Sequence, residues 1–289
     1  MNEFFINKVK KLRSNFKSEV VDLSGCQKAM LSKRCKLSLS FISVGKVEKL
    51  LKGLKSSKAT AIDGLDSYSL KISASLVAAP IHHLISLSVM QQKFPSVWKL
   101  AKILPLHKKG DVLDRKNYRP VSILSPVSKV LERAIYEQLY SYFSHNRIFH
   151  PNVMGYRKNR STATALLQMY DRWISGAGNK RISGIVLLDL SAAFDLVSSE
   201  ILVEKLRVYG LQDDFLEWIK CYLSHRKQAV WVDHILSDWL EVEVGVPQGS
   251  ILGPLLFIIF ANDLPFLLSC DLDQYADDST LSCVRPTVQ

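Results

Sequence analysis

The sequence predicts an α+β fold, and three patterns carry that prediction. Helical spacing runs through the first half, as in Val44, Val47, Leu50, Leu51 and Leu54. Residues 182–190 form a continuous apolar run that reads as a buried strand. Beyond it, residues 228–232 and 240–244 alternate across a polar turn like the arms of a hairpin, and two short β-like runs flank Ala276-Asp277-Asp278. Helices mixed with an antiparallel component are the mark of the α+β class.

Taken in order, residues 1–40 are basic and weakly patterned and read as an extension or connector. The first helix begins at Val44, and two further helical stretches flank Pro80. A short strand is predicted at 101–107, where Pro105 implies an edge or irregular strand. Ser125-Pro126 signals a helix start, and behind it Val130, Leu131, Ala134, Ile135, Leu139 and Tyr142 share one apolar face. Another helix should follow Ser161. After the strand at 182–190, helical stretches are expected near 200–209, 214–223 and 250–262.

At 289 residues the chain has room for about two domains, and its 47% hydrophobic content supports a folded core. The net charge is +11, and residues 1–60 alone hold 14 Lys or Arg against 4 Asp or Glu. Such a front end suits a polyanion, either nucleic acid or an acidic membrane, or is simply a soluble lysine-rich face. None of the five cysteines forms a CxxC pair and no histidine cluster has zinc-ligand spacing, which argues against a structural zinc. The odd cysteine count and the absence of an apolar leader argue against a secreted, disulfide-built protein. The longest apolar run, 251–261, is broken by Gly253 and Pro254 and falls short of the roughly 20 residues of a membrane span. An intracellular protein, nuclear or cytoplasmic and without a membrane partner, is expected.

The acids carry the chemistry. Asp189 ends an apolar strand, where an ionised side chain is costly unless something compensates it. Asp277 and Asp278 lie side by side in a tight turn, and a divalent cation would relieve their repulsion. Taken alone, these residues fit a turn and a helix cap at least as well as a metal site.

Their surroundings change the balance. Asp189-Leu190-Ser191-Ala192-Ala193-Phe194-Asp195 resembles motif A of reverse transcriptases. The segment Gly245-Val246-Pro247-Gln248-Gly249-Ser250-Ile251-Leu252-Gly253-Pro254-Leu255-Leu256-Phe257 is similar to motif B in its non-LTR (LINE-type) retrotransposon form, and Tyr275-Ala276-Asp277-Asp278 to motif C. Upstream, Lys58-Ala59-Thr60-Ala61-Ile62-Asp63-Gly64, Asn117-Tyr118-Arg119-Pro120-Val121-Ser122 and Gly155-Tyr156-Arg157-Lys158-Asn159-Arg160-Ser161-Thr162 resemble the fingers motifs of that family. The resemblance runs from about residue 41 to 284, in the family's order.

What it implies is a right-hand polymerase fold, with helical fingers and short strands at 41–180 and a partial palm with an antiparallel sheet at 181–289. The activity implied is RNA-directed DNA synthesis from dNTPs on an RNA template and a DNA primer, with two Mg²⁺ ions or Mn²⁺ in their place. Asp189, Asp277 and Asp278 would be the catalytic metal ligands, Asp189 and Asp277 the most direct. Phe194 would be the steric gate against a 2′-hydroxyl, or else a plain core aromatic. Gln248 and Gly249 would meet the incoming nucleotide. Arg119 would reach the triphosphate, with Lys108 or Lys109 assisting. Arg157, Lys158 and Arg160 would grip the template backbone, surface solubility being the alternative for each singly.

The chain departs from the family at several points. Leu196-Val197-Ser198-Ser199 stands where Thr-Val-Asp-His is common, Asn159 and Ala61 stand where glycine is usual, and Phe260-Ala261 replaces an aromatic-plus-aliphatic pair. The sequence given also stops soon after Asp278, so a thumb is expected to be absent. The alternative to an active enzyme is therefore an inactive remnant that at most binds nucleic acid.

Overall fold

The computed structural model describes residues 1–15, 21–57 and 59–286, so Lys58 of the first fingers motif lies outside the described residues. Helices α1 (Asn2–Arg13) and α2 (Ser24–Ala29) open the chain. Weak patterning predicts an extension here, but both helices are packed down. Phe5 is buried with Ala101, Ile103, Leu124 and Val230, and the Asn2 amide donates to the carbonyls of Gln228 (3.2 Å) and Asp238 (2.9 Å). Cys26 and Ala29 enter the main core. One aromatic and one amide anchor α1, too few residues to show as a period.

Ser43 caps α3 (Val44–Lys52), its hydroxyl accepting from the Lys46 N–H, and the helix buries Val47 and Leu51. After α4 (Ser67–Ile72), α5 (Ala74–Gln91) runs straight through Pro80 instead of breaking there. Pro80 lies on the exposed side of the helix, where the backbone can tolerate the lost hydrogen bond. By length and composition α5 could cross a membrane; here Ala78, Ile81 and Ile85 are sealed into the main core.

β1 (Leu100–His107) and β2 (Tyr118–Ile123) form an antiparallel pair. Next come α6 (Pro126–His145), started by Ser125 and Pro126, and α7 (Thr162–Gly178), started by a Ser161–Thr164 capping box. All six residues of the predicted α6 face are buried. β3 (Ile182–Asp189), α8 (Ser199–Val208), α9 (Asp213–Leu223), β4 (Arg226–Val232), β5 (Ile235–Leu236), β6 (Leu240–Val242), α10 (Leu252–Ala261), α11 (Leu264–Leu267), β7 (Asp271–Tyr275) and β8 (Asp278–Arg285) complete the order.

The first sheet runs β2-β1-β4-β5, with β6 also on β4; the second runs β3-β8-β7. β1 is an inner strand, against the edge strand expected, but its parallel pairing with β4 ends at Ile103. Pro105 therefore falls where β1 has a partner on one side only. The main core draws on both halves of the chain, from Val47 and Leu131 to Trp218 and Leu256, so residues 41–180 and 181–289 share one core.

β3 corrects the sequence reading. Its apolar run predicts burial, yet Leu187 is 77% exposed and Val186 55%. The strand lies at the edge of its sheet, and side chains on both of its faces reach solvent.

Candidate active site

The β3–β8 register sets Asp189 directly opposite Asp278, and Tyr275 pairs with Asp278 across the turn that holds Ala276 and Asp277. Three carboxylates thus meet at one end of the second sheet. Asp189 and Asp278 are exposed and Asp277 is half-buried, so the desolvation expected of Asp189 does not arise. None of the three makes an ion pair among the described residues, where no group of three or more His, Cys, Asp or Glu closes into a metal cage.

A glycine fixes this turn from below. Ala276 takes a left-handed φ of +59°, and a Cβ on Gly155 would overlap its backbone. The neighbouring backbones are paired: Met154 N donates to Gln274 O at 2.8 Å, and Gln274 N donates to Asn152 O at 2.9 Å. Arg172 of α7 pairs with Asp273 and, at 3.0 Å, with Asp271, tying the helix to β7.

Motifs A and B are joined backbone to backbone. Val246 N donates to Phe194 O and Gly245 N to Val197 O, both at 2.9 Å. Gly245 has a φ of +95°, and a Cβ there would lie 2.7 Å from Asp195 O. Phe194 stacks on Phe257 of α10 at 4.5 Å and meets the edge of Tyr156 at 6.0 Å, so it is half-buried and stands on an aromatic support. Gly249 brings the same loop against β2: a Cβ on it would lie 2.6 Å from Ser122 O. Phe194 and the loop of Gln248 are therefore joined, and Gly249 sets that loop against the β2-β1-β4 sheet.

One contributor has little sequence signal. Glu132, wholly buried in α6, accepts from Ile251 N (2.6 Å) and Leu252 N (3.2 Å) and so holds the start of α10. Burial raises its pKa, while the Arg226 charge and the two N–H bonds oppose the rise. The only hint was a carboxylate set within an otherwise apolar helix face.

The fingers cations divide. Arg119 is exposed on β2, and Lys108 leaves β1 with its backbone N–H on Asn117 O at 2.8 Å. Partial burial depresses the Lys108 pKa, the charges of Arg119, Lys8 and Lys109 depress it further, and Asp189 pulls the other way. Lys108 and the Asp189 end of β3 therefore lie within one another's field. Arg157 is a correction: its Nη1 donates to the carbonyls of His150 and Val153, both at 2.8 Å, and its guanidinium lies 5.0 Å from the Phe149 ring. Both hydrogens of that nitrogen hold the loop and are not free for a template. Lys158 and Arg160 remain exposed, and Asn159 has a φ of +59°, which explains why glycine suits this position and why asparagine can replace it.

Residues 106–288 match the family described as reverse transcriptase (RNA-dependent DNA polymerase). The chain belongs to the reverse transcriptase family. This reverse transcriptase domain is 31% identical over 233 residues to a Drosophila melanogaster protein named as a probable RNA-directed DNA polymerase from transposon BS, covering 76% of this chain and 25% of that protein. It is also 31% identical over 231 residues to the RNA-directed DNA polymerase from mobile element jockey of the same species, covering 79% of this chain and 25% of the relative. A third relative, named for the transposon X-element, is 33% identical over 178 residues, 61% of this chain and 20% of its own length. The chain spans a quarter or less of the curated relatives it matches. The likeness to non-LTR elements read from its motifs therefore stands.

Proposed function

We propose that this reverse transcriptase domain extends a primer 3′-hydroxyl with dNTPs on an RNA template. The observation that carries the reading is the β3–β8 register, which sets Asp189 against Asp278 next to the joined Phe194–Gln248 loops. Residues 41–180 would act as fingers and 181–289 as palm in a right-hand arrangement. The three carboxylates make no ion pair among the described residues and offer hard oxygen donors, which suits Mg²⁺ or Mn²⁺. Such ions take one or two carboxylates and fill the rest of their shell from phosphates and water, so a closed protein cage is not required. Asp189, Asp277 and Asp278 would hold two of them, which when bound supply charge stabilisation to the hydroxyl and the leaving pyrophosphate.

The chain's own residues do the rest. Arg119 and Lys108, with Lys109 beside them, would take the triphosphate, and an anion there relieves their mutual repulsion. Phe194, braced by Phe257, would crowd a 2′-hydroxyl and favour deoxynucleotides. Lys158 and Arg160 would bind template phosphates without reading sequence.

Primer extension on poly(rA)/oligo(dT) with Mg²⁺ tests the reading. Asp277→Asn should lower dTTP incorporation by about a thousandfold or more, since charge stabilisation at the reacting centre is a dominant catalytic effect. Equal activity in wild type and Asp277→Asn would show the assigned chemistry to be wrong. A second reading, nucleic-acid binding without synthesis, is favoured by the net charge of +11 and the exposed Lys158 and Arg160. Its signature is binding that weakens steeply with salt and no incorporation at any Mg²⁺ concentration.

A further inference from the structure

Gln248 carries an amide, which can present either an acceptor oxygen or a donor NH₂ to a nucleotide. Asp195 decides which. Its Oδ1 accepts from Gln248 Nε2 at 2.7 Å, and an ionised carboxylate can only accept. A reversed amide would set oxygen against oxygen. Gln248 Oε1 makes no hydrogen bond among the described residues, so the amide turns its acceptor, beside the second Nε2 hydrogen, to a ligand.

The pair is built into the fold. Both residues sit in loops fixed to each other by the Val246–Phe194 and Gly245–Val197 backbone bonds, and Gly245 permits the close approach to Asp195. Burial raises the Asp195 pKa, whereas the Gln248 bond and the charge of Lys8 favour the ionised form. Lys8 is carried by α1, which is pinned nearby by Asn2, by Phe5 and by Lys10 on Glu243 at 3.1 Å. The N-terminal helix thus delivers a cation toward the back of the nucleotide loop.

Resting on the reading of Gln248 as a nucleotide contact, we propose that Asp195 is a positioning residue that locks the Gln248 amide with its oxygen free to accept from a donor on the incoming nucleotide, such as a sugar hydroxyl. The pair would select for that donor without Asp195 itself touching substrate.

Asp195→Asn keeps the shape but can donate as well as accept, so the amide is no longer fixed. In primer extension by the full 289-residue chain, this variant should raise the KM for dTTP about tenfold and leave kcat within about twofold. Gln248→Ala should do the same, and the double variant should be no worse than either single one, as expected of residues acting as a unit. Additive losses, or an unchanged KM in Asp195→Asn, would overturn the proposal. If the wild type incorporates nothing, the polymerase reading fails by itself, and the orientation is read by NMR of the ¹⁵N-labelled chain. The Gln248 side-chain amide resonances should then shift and broaden in Asp195→Asn; unchanged resonances would equally overturn it.

Discussion

The two sheets of this reverse transcriptase domain are held in opposite ways. The β2-β1-β4 sheet is covered over part of one face, with Phe5 of α1 seated over Ala101, Ile103 and Val230. The β3-β8-β7 sheet carries the three aspartates and shows Val186, Leu187 and Leu188 to solvent. Asp189 thus stands on an edge strand open to solvent. The Gly245–Ile251 loop is instead rooted in the main core, through Glu132 and α10. On the proposed reading, an open sheet end would admit a polyanionic duplex, while a loop anchored in the core would keep its geometry.

Removing the buried anchor should have the largest effect. Glu132→Ala leaves Ile251 N and Leu252 N without their acceptor and Arg226 without the opposing charge. Breaking such a buried arrangement costs about 3–5 kcal/mol, measurable by urea unfolding. The carboxyl also sets a pH slope. Its folded pKa lies above the ordinary glutamate value of 4.5, so the folded state binds more protons than the unfolded state above that pH. Its contribution is therefore fully present below about 4.5 and is lost as pH rises through the folded value. Glu132→Gln should flatten this slope while keeping an acceptor for the two N–H groups; an unchanged slope would place the titration elsewhere.

The contrast also explains what could be read in advance. The segments around the aspartates, Phe194 and Gln248 stood out only through the resemblance of their motifs to a family, whereas the α6 face was legible because six apolar residues follow one helical period. Burial of β3 was not legible in the same way. An apolar run says that a strand is fit to be covered, not that something covers it. Arg157 misled for a related reason, since a charge in a basic run carries no sign of the carbonyls it binds in three dimensions. The Asp195–Gln248 bond joins residues 53 positions apart and leaves no local trace.

An intermediate effect is expected where the two regions touch. Gly155 belongs to the loop that backs the aspartate turn, and Gly155→Ala would press a methyl into Ala276. Overpacking of this kind costs typically about 1–3 kcal/mol, and relief must come by moving the turn or the loop. The variant should lose stability in that range and lose primer extension more than stability, because Asp277 moves with Ala276. A variant that melts lower but extends primers like wild type would show that the loop, not the turn, had yielded.

The smallest effect should come from the open sheet itself. Leu187 is 77% exposed, so Leu187→Thr removes little apolar area from any contact, and threonine is also at home in a strand. Its stability should stay within about 0.5 kcal/mol of wild type, as for surface substitutions generally. The measurement is most telling when repeated over a range of protein concentrations. Edge strands with exposed apolar side chains are templates for pairing, and a stability cost that appears only at high concentration would mean that wild-type β3 is covered by another molecule in solution. A cost of about 2 kcal/mol at every concentration would break the comparison outright, since it would place Leu187 among buried residues such as Leu131 rather than on an open face.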